Sequence, residues 1–205
     1  MKYIDLSHKI TTAIPVYPGD PTVEIQSNNL VENNGFTSHT ITIGTHVGTH
    51  IDAPWHMLIG GKRISDYQID HFMGKALIID AQNQSKIDAH LLNNHDLSQY
   101  SVILIYTGRD KIYNQSEYFT VYPEVTTDFA QKLVDAKIKI VGMDQASPDY
   151  EPFNTHKLLL QNDILIIENL TNLDQLINQD NITITALPLN TETEASPVRV
   201  IAAIN

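Results

Sequence analysis

Alternation of apolar and polar positions marks the first third of the chain. Residues 3–8, 22–26 and 38–43 follow a period of two, which predicts strands with one buried face. Four compact apolar runs come later, at residues 76–80, 102–106, 138–144 and 164–168. Runs this short and this continuously apolar predict strands covered on both faces. Residues 182–187 and 198–203 predict the last two strands. Helical spacing appears between them. Thr126-Thr127 predicts a cap for a helix in which Phe129, Leu133 and Val134 recur on one side. Residues 154–160 begin like a capped helix with His156 in its first turn, and residues 172–177 predict another short helix. A mostly β first third followed by alternating helices and strands predicts an α/β fold with a mixed sheet.

Composition bounds this picture without redirecting it. Hydrophobic residues make up 42 % of the 205, enough for one substantial core. No repeat, low-complexity run or linker-like shift divides the chain, so a single domain over residues 1–205 is expected. Asp and Glu number 24 against 13 Lys and Arg, a formal net charge of −11. Such a surface repels phosphate backbones and anionic lipid, which makes nucleic acid and membranes poor partners and leaves small-molecule chemistry. With no cysteine, neither disulfides nor thiolate chemistry is available, and any metal must take nitrogen and oxygen ligands. The opening residues lack the apolar core of a signal peptide and no apolar run approaches a membrane span, so the cytoplasm is the expected compartment.

The candidate chemistry concentrates in residues 44–56, Gly-Thr-His-Val-Gly-Thr-His-Ile-Asp-Ala-Pro-Trp-His, which hold three of the nine histidines and an aspartate. Neutral imidazole and carboxylate are ligands for zinc-like or manganese-like ions. Two glycines and the β-branched Thr45, Val47, Thr49 and Ile51 argue against a helix here, and Pro54 would end one. In an extended chain His46, His50, Asp52 and His56 share one parity and one face. A straight strand would hold His46 and His56 about 33 Å apart, at roughly 3.3 Å per residue. One site cannot span that distance, so the segment must bend, with Gly48 and Pro54 as the places for it. A single histidine is ordinarily a surface or hydrogen-bonded core residue, but three with an aspartate on one parity point to a metal. Further along, Asp80, Asp144 and Glu168 each end an apolar run, where ligands gather in α/β folds, and position alone does not choose among them. His156 by itself reads equally well as a helix-surface residue.

The run His46-Val-Gly48-Thr49-His50-Ile-Asp52-Ala-Pro54-Trp-His56 resembles the HxGTHxDxPxH motif of the cyclase-like metal-dependent hydrolases, which include bacterial kynurenine formamidases and isatin hydrolases. The resemblance extends to His156-Lys-Leu-Leu-Leu with Ile-Leu-Ile-Ile-Glu168-Asn-Leu, and to Ala186-Leu-Pro-Leu189 and Ala195-Ser-Pro197-Val-Arg199. It implies a swivelling β/β/α architecture, with His46, His50, Asp52, His156 and Glu168 as ligands of one or two divalent ions, zinc or manganese. It also implies His56 as catalytic base, a homodimer or higher homo-oligomer, and hydrolysis of a small amide by metal-activated hydroxide, as in an arylformamidase. Opening of a cyclic amide or lactone, as by isatin hydrolases, is the alternative within the family. A metal-binding protein without turnover is the alternative of another class, and a purely structural site has no need of His56. Candidate walls for the substrate pocket are Tyr17, where kynurenine formamidases typically carry tryptophan, with Trp55 and Phe153.

Overall fold

The computed structural model describes residues 1–204. In chain order the strands are β1 (Lys2–Asp5), β2 (Glu24–Asn29), β3 (Ser38–Thr42), β4 (His50–Asp52), β5 (Met73–Asp80), β6 (Lys86–Ile87), β7 (Val102–Tyr106), β8 (Glu124–Val125), β9 (Ile140–Met143), β10 (Leu165–Glu168), β11 (Ile182–Pro188) and β12 (Ala195–Ile204). The helices are a single turn α1 (Val31–Asn34), α2 (Thr127–Asp135) and α3 (Asn154–Gln161). Eight strands form the main sheet in the order β1-β12-β11-β5-β7-β9-β10-β4, and β4 also pairs with the start of β12, so the sheet curls back on itself. Neighbours from β5 through β7 and β9 to β10 run parallel, and the remaining pairs are antiparallel. The expected mixed α/β sheet is what forms.

The continuously apolar runs are explained by cover on both faces. In β7, Leu104 enters a core with Leu6, Ile51, Leu165, Ile167 and Val200. Its neighbours Ile103 and Ile105 enter a second core beneath α2 and α3, with Phe129, Leu133, Leu159, Leu160 and Ile166. Burying one such side chain contributes about 1.5–3 kcal/mol, so the two cores hold the central strands, and with them their carboxyl ends, firmly in place.

Four expectations need correction, the first being the cap of α3, whose N-cap position is Phe153 with no side-chain capping bond. The alternating segments at residues 22–26 and 38–43 do form β2 and β3, but as a separate two-stranded ribbon whose residues are almost all exposed, not half-buried. Thr126 stands at the start of α2 without capping it, because its hydroxyl donates to the Ile87 carbonyl instead. Residues 172–177 make only a 3₁₀ turn at Leu173–Leu176, whose two buried leucines explain the apolar spacing.

Candidate metal centre

The motif folds as a turn, a strand and a second turn. Gly48 takes a left-handed backbone (φ +61°), and the chain then enters β4 between β10 and the start of β12. Period two sends Ile51 into the core and keeps His50 and Asp52 on the opposite face. Across the antiparallel ladder His50 is the partner of Glu168 and Asp52 of Ile166, so the glutamate at the end of β10 meets the motif directly. Pro54–His56 form a 3₁₀ turn that brings His56 back over the strand. His156 arrives from the first turn of α3. Phe153, just before that helix, holds a left-handed backbone (φ 60°) and packs edge-on against the His156 ring.

The donor atoms converge. His46 Nδ1 lies 3.1 Å from Asp52 Oδ1, and His50 Nε2 lies 3.6 Å from the same oxygen. Glu168 faces two histidines, with Oε2 3.3 Å from His50 Nε2 and Oε1 3.3 Å from His156 Nε2. His50 Nε2, both Asp52 oxygens and Glu168 Oε1 are nevertheless buried without a properly aligned hydrogen-bond partner. Leaving buried charged groups unsatisfied costs about 1–3 kcal/mol each or more, so the cluster is built for something other than itself. Imidazole nitrogen and carboxylate oxygen fit a divalent ion. Two sets of three donors lie within 4.8 Å of one another, His46 with Asp52 and His56, and His50 with Asp52 and Glu168. Asp52 is common to both, and His156, expected as a ligand, belongs to neither set and meets the cluster through Glu168.

Electrostatics lead to the same chemistry. Burial opposes charge throughout the cluster, yet mutual attraction outweighs it at most positions. Despite burial, Asp52 raises His46 to about 9, and Asp149 and Glu168 raise His156 to about 10. His50 is likewise raised by Asp52 and Glu168 against its burial. Asp52 and Glu168 are both held below the usual carboxylate range by facing histidines, again against burial. His56 departs from the pattern: burial, aided by His46, pushes its imidazole down. Buried carboxylates facing these imidazoles favour positive charge, and a divalent cation would bind there by displacing the ring protons.

Beside the cluster is a cavity of about 280 Å³. Val16, Tyr17, Met57, Phe119 and Phe153 wall it, and His46, His50, His56, His156 and Glu168 face it. Tyr17 and Phe153 therefore stand where the sequence expects pocket walls. Trp55 does not line this cavity; it is 40 % exposed and its ring lies under the Arg63 guanidinium. Asp80 and Asp144, the other strand-end carboxylates, lie outside both donor sets. Asp80 accepts from the Gln82 amide in its own turn, while Asp144 is buried and accepts from the Thr107 amide and hydroxyl and the Gly108 amide. Two acids escaped the sequence reading. Asp149 lies 2.7 Å from His156 Nδ1, and Glu194 lies 3.5 Å from His46 Nε2 while accepting from Thr45 Oγ1. Neither carries a spacing signal, since each reaches its histidine only through the fold.

The curled mixed sheet thus sets a cavity beside a convergent His/Asp/Glu set able to hold a divalent ion. The Cyclase family model matches residues 4–150, and the chain belongs to that family. A kynurenine formamidase of Bacillus mycoides is 33 % identical over 205 residues, covering 98 % of this chain and 96 % of the relative. A protein from Bacillus stearothermophilus, described as a predicted metal-dependent hydrolase, superposes with a TM-score of 0.78 at 26 % identity, covering 98 % of this chain and 97 % of that one. Isatin hydrolase A from Labrenzia aggregata, bound to benzyl benzoate, superposes with a TM-score of 0.83 at 20 % identity, covering 99 % of this chain and 93 % of that one. At that identity the likeness is one of fold.

Proposed function

We propose that the protein is a metal-dependent hydrolase of a small aromatic amide, most like an arylformamidase acting on an N-formylkynurenine-type substrate. One observation carries the reading: buried, under-bonded imidazole and carboxylate donors converge beside a cavity walled by aromatic side chains. The near end-to-end match to a kynurenine formamidase supports the amide as the bond cleaved. In this reading His46, His50, Asp52, His156 and Glu168 hold the metal, zinc before manganese because the set is rich in imidazole. Two donor sets sharing Asp52 support two ions, with His56 completing the first set by position and His156 adding to the second through its contact with Glu168. A divalent ion held by these residues would supply a Lewis acid for the carbonyl and lower the pKa of bound water to about 7. His56, on the cavity wall with its ring 4.4 Å from that of His46, takes the proton of the attacking water and returns it to the leaving nitrogen. Water adds to the formyl carbon, the C–N bond breaks, and formate and an arylamine leave. Tyr17 and Phe153 orient the aryl group. The same reading places the enzyme in the cytoplasm and makes it a homodimer or higher homo-oligomer, which the exposed Ile25 and Ile41 of the β2–β3 ribbon support.

Elemental analysis of protein purified without chelator, followed by turnover on N-formylkynurenine, isatin and simple lactones, tests this. Close to two ions per chain and preference for the formamide are expected. Preference for isatin or a lactone would move the activity to cyclic substrates, and metal without turnover would leave a binding protein. No metal at all would overturn the site.

A further inference from the structure

Asp149 stands behind the donor set and outside it. Its side chain is buried at the end of the Ser147-Pro148-Asp149 segment, and each carboxylate oxygen has a nitrogen within hydrogen-bonding distance. Oδ2 accepts from the Thr155 backbone amide at 2.7 Å, and Oδ1 lies 2.7 Å from His156 Nδ1. The Asp149 carbonyl is tied down as well, accepting from Ser147 Oγ at 2.9 Å and Tyr122 Oη at 3.2 Å. An ionised carboxylate accepts only, so the nitrogen facing it must carry the ring proton. The other nitrogen, Nε2, is then left for the centre, where it lies 3.3 Å from Glu168 Oε1.

We propose that Asp149 is a positioning residue for the metal centre: its carboxylate holds His156 in the Nδ1–H tautomer and aims Nε2 at the ion, an inference that rests on the metal reading of the site. His50 is held by the same logic through a different group, since its Nδ1 lies 2.9 Å from the Gly48 carbonyl. A backbone carbonyl cannot change its character. Asp149 is a side chain, so here one substitution can reverse the preference. An asparagine at 149 must direct its NH₂ either at the Thr155 amide, donor against donor, or at His156 Nδ1. The second choice makes Nδ1 the acceptor and puts the ring proton on Nε2, where it blocks ligation. Carboxylates behind metal-bound histidines typically account for about 10- to 100-fold in metal affinity.

The test uses the whole protein in two measurements. In the zinc-loaded wild type, ¹⁵N–¹H NMR of histidine-labelled protein should show His156 protonated at Nδ1 and ligated through Nε2. Ligation through Nδ1, or a proton on Nε2, would overturn the proposal without any variant. Competition with a chelator should then show Asp149→Asn binding zinc about 10- to 100-fold more weakly than wild type, with the apo variant keeping its circular dichroism spectrum. Saturating zinc should restore most of kcat, because Asp149 touches neither substrate nor ion. Equal zinc affinity in the two proteins overturns the role of Asp149 while leaving the metal site standing. Failure of the wild type itself to take up zinc overturns the metal reading instead. If Asp149→Asn does not fold, the tautomer seen in the wild type decides.

Discussion

His56 occupies a position from which an imidazole can either bind an ion or serve the water beside one. It belongs to the donor set with His46 and Asp52, which favours ligation. It also follows Pro54 on a separate turn, lines the cavity, and is the one histidine of the cluster whose pKa its surroundings push down. Those features suit a base, and His56→Ala should keep its metal while losing about two to four orders of magnitude in kcat. Metal content and kcat measured on one preparation decide: lost metal makes His56 a ligand, and unchanged turnover makes it a bystander. Asp144→Asn serves as the control for a buried strand-end acid, expected to leave metal content intact because its hydrogen bonds all run to Thr107 and Gly108. At this scale the sequence was legible where donors are neighbours in the chain, at His46, His50, Asp52 and His56. His156 and Glu168 had to be placed by family likeness, because only the β4–β10 ladder and the start of α3 bring them in. Asp149 and Glu194 stayed invisible, since nothing local distinguishes a carboxylate that will meet a histidine from one that will meet water.

Among the elements, the turn before β4 governs the centre. Gly48 is left-handed, its carbonyl lies within hydrogen-bonding distance of His50 Nδ1 and accepts from the Asn169 side-chain Nδ2, and an added Cβ would sit 3.0 Å from Ile14 Cδ1. A left-handed alanine costs about 1–2 kcal/mol, and here the tight contact adds to it. Gly48→Ala should therefore lower stability by at least that amount in chemical denaturation and also weaken zinc binding, because the strain falls on the group that orients His50. Gly60→Ala is the matched comparison: it is also left-handed (φ +72°) but faces open space, so it should lose similar backbone energy and keep its zinc affinity. Equal zinc affinity for both variants would show that the turn is mere connection. The bend itself was readable from glycine and proline within a β-branched run, as were the central strands, whose apolar residues leave no polar face. β2 and β3 misled for the converse reason. Alternation normally reports one wet face and one dry face, and here both faces are wet.

That ribbon raises a question about the whole molecule. Among the described residues β2 and β3 pair with each other and with no other strand, and a lone two-stranded ribbon is marginal in water. It also exposes apolar side chains: Ile25 and Ile41 are direct cross-strand partners, 36 % and 58 % exposed, with Phe36 at 56 % nearby. An exposed apolar patch of this kind marks a contact surface unless something covers it. A second copy is the occupant the proposed homodimer supplies. Light scattering on the eluting protein should give a dimer at micromolar concentration. Ile25→Lys combined with Ile41→Glu should give a monomer that still binds metal, because an opposite-charge pair maintains the cross-strand contact while removing its apolar surface. A wild type that elutes as a monomer, or a charge-paired variant that remains a dimer, would remove the ribbon from the interface.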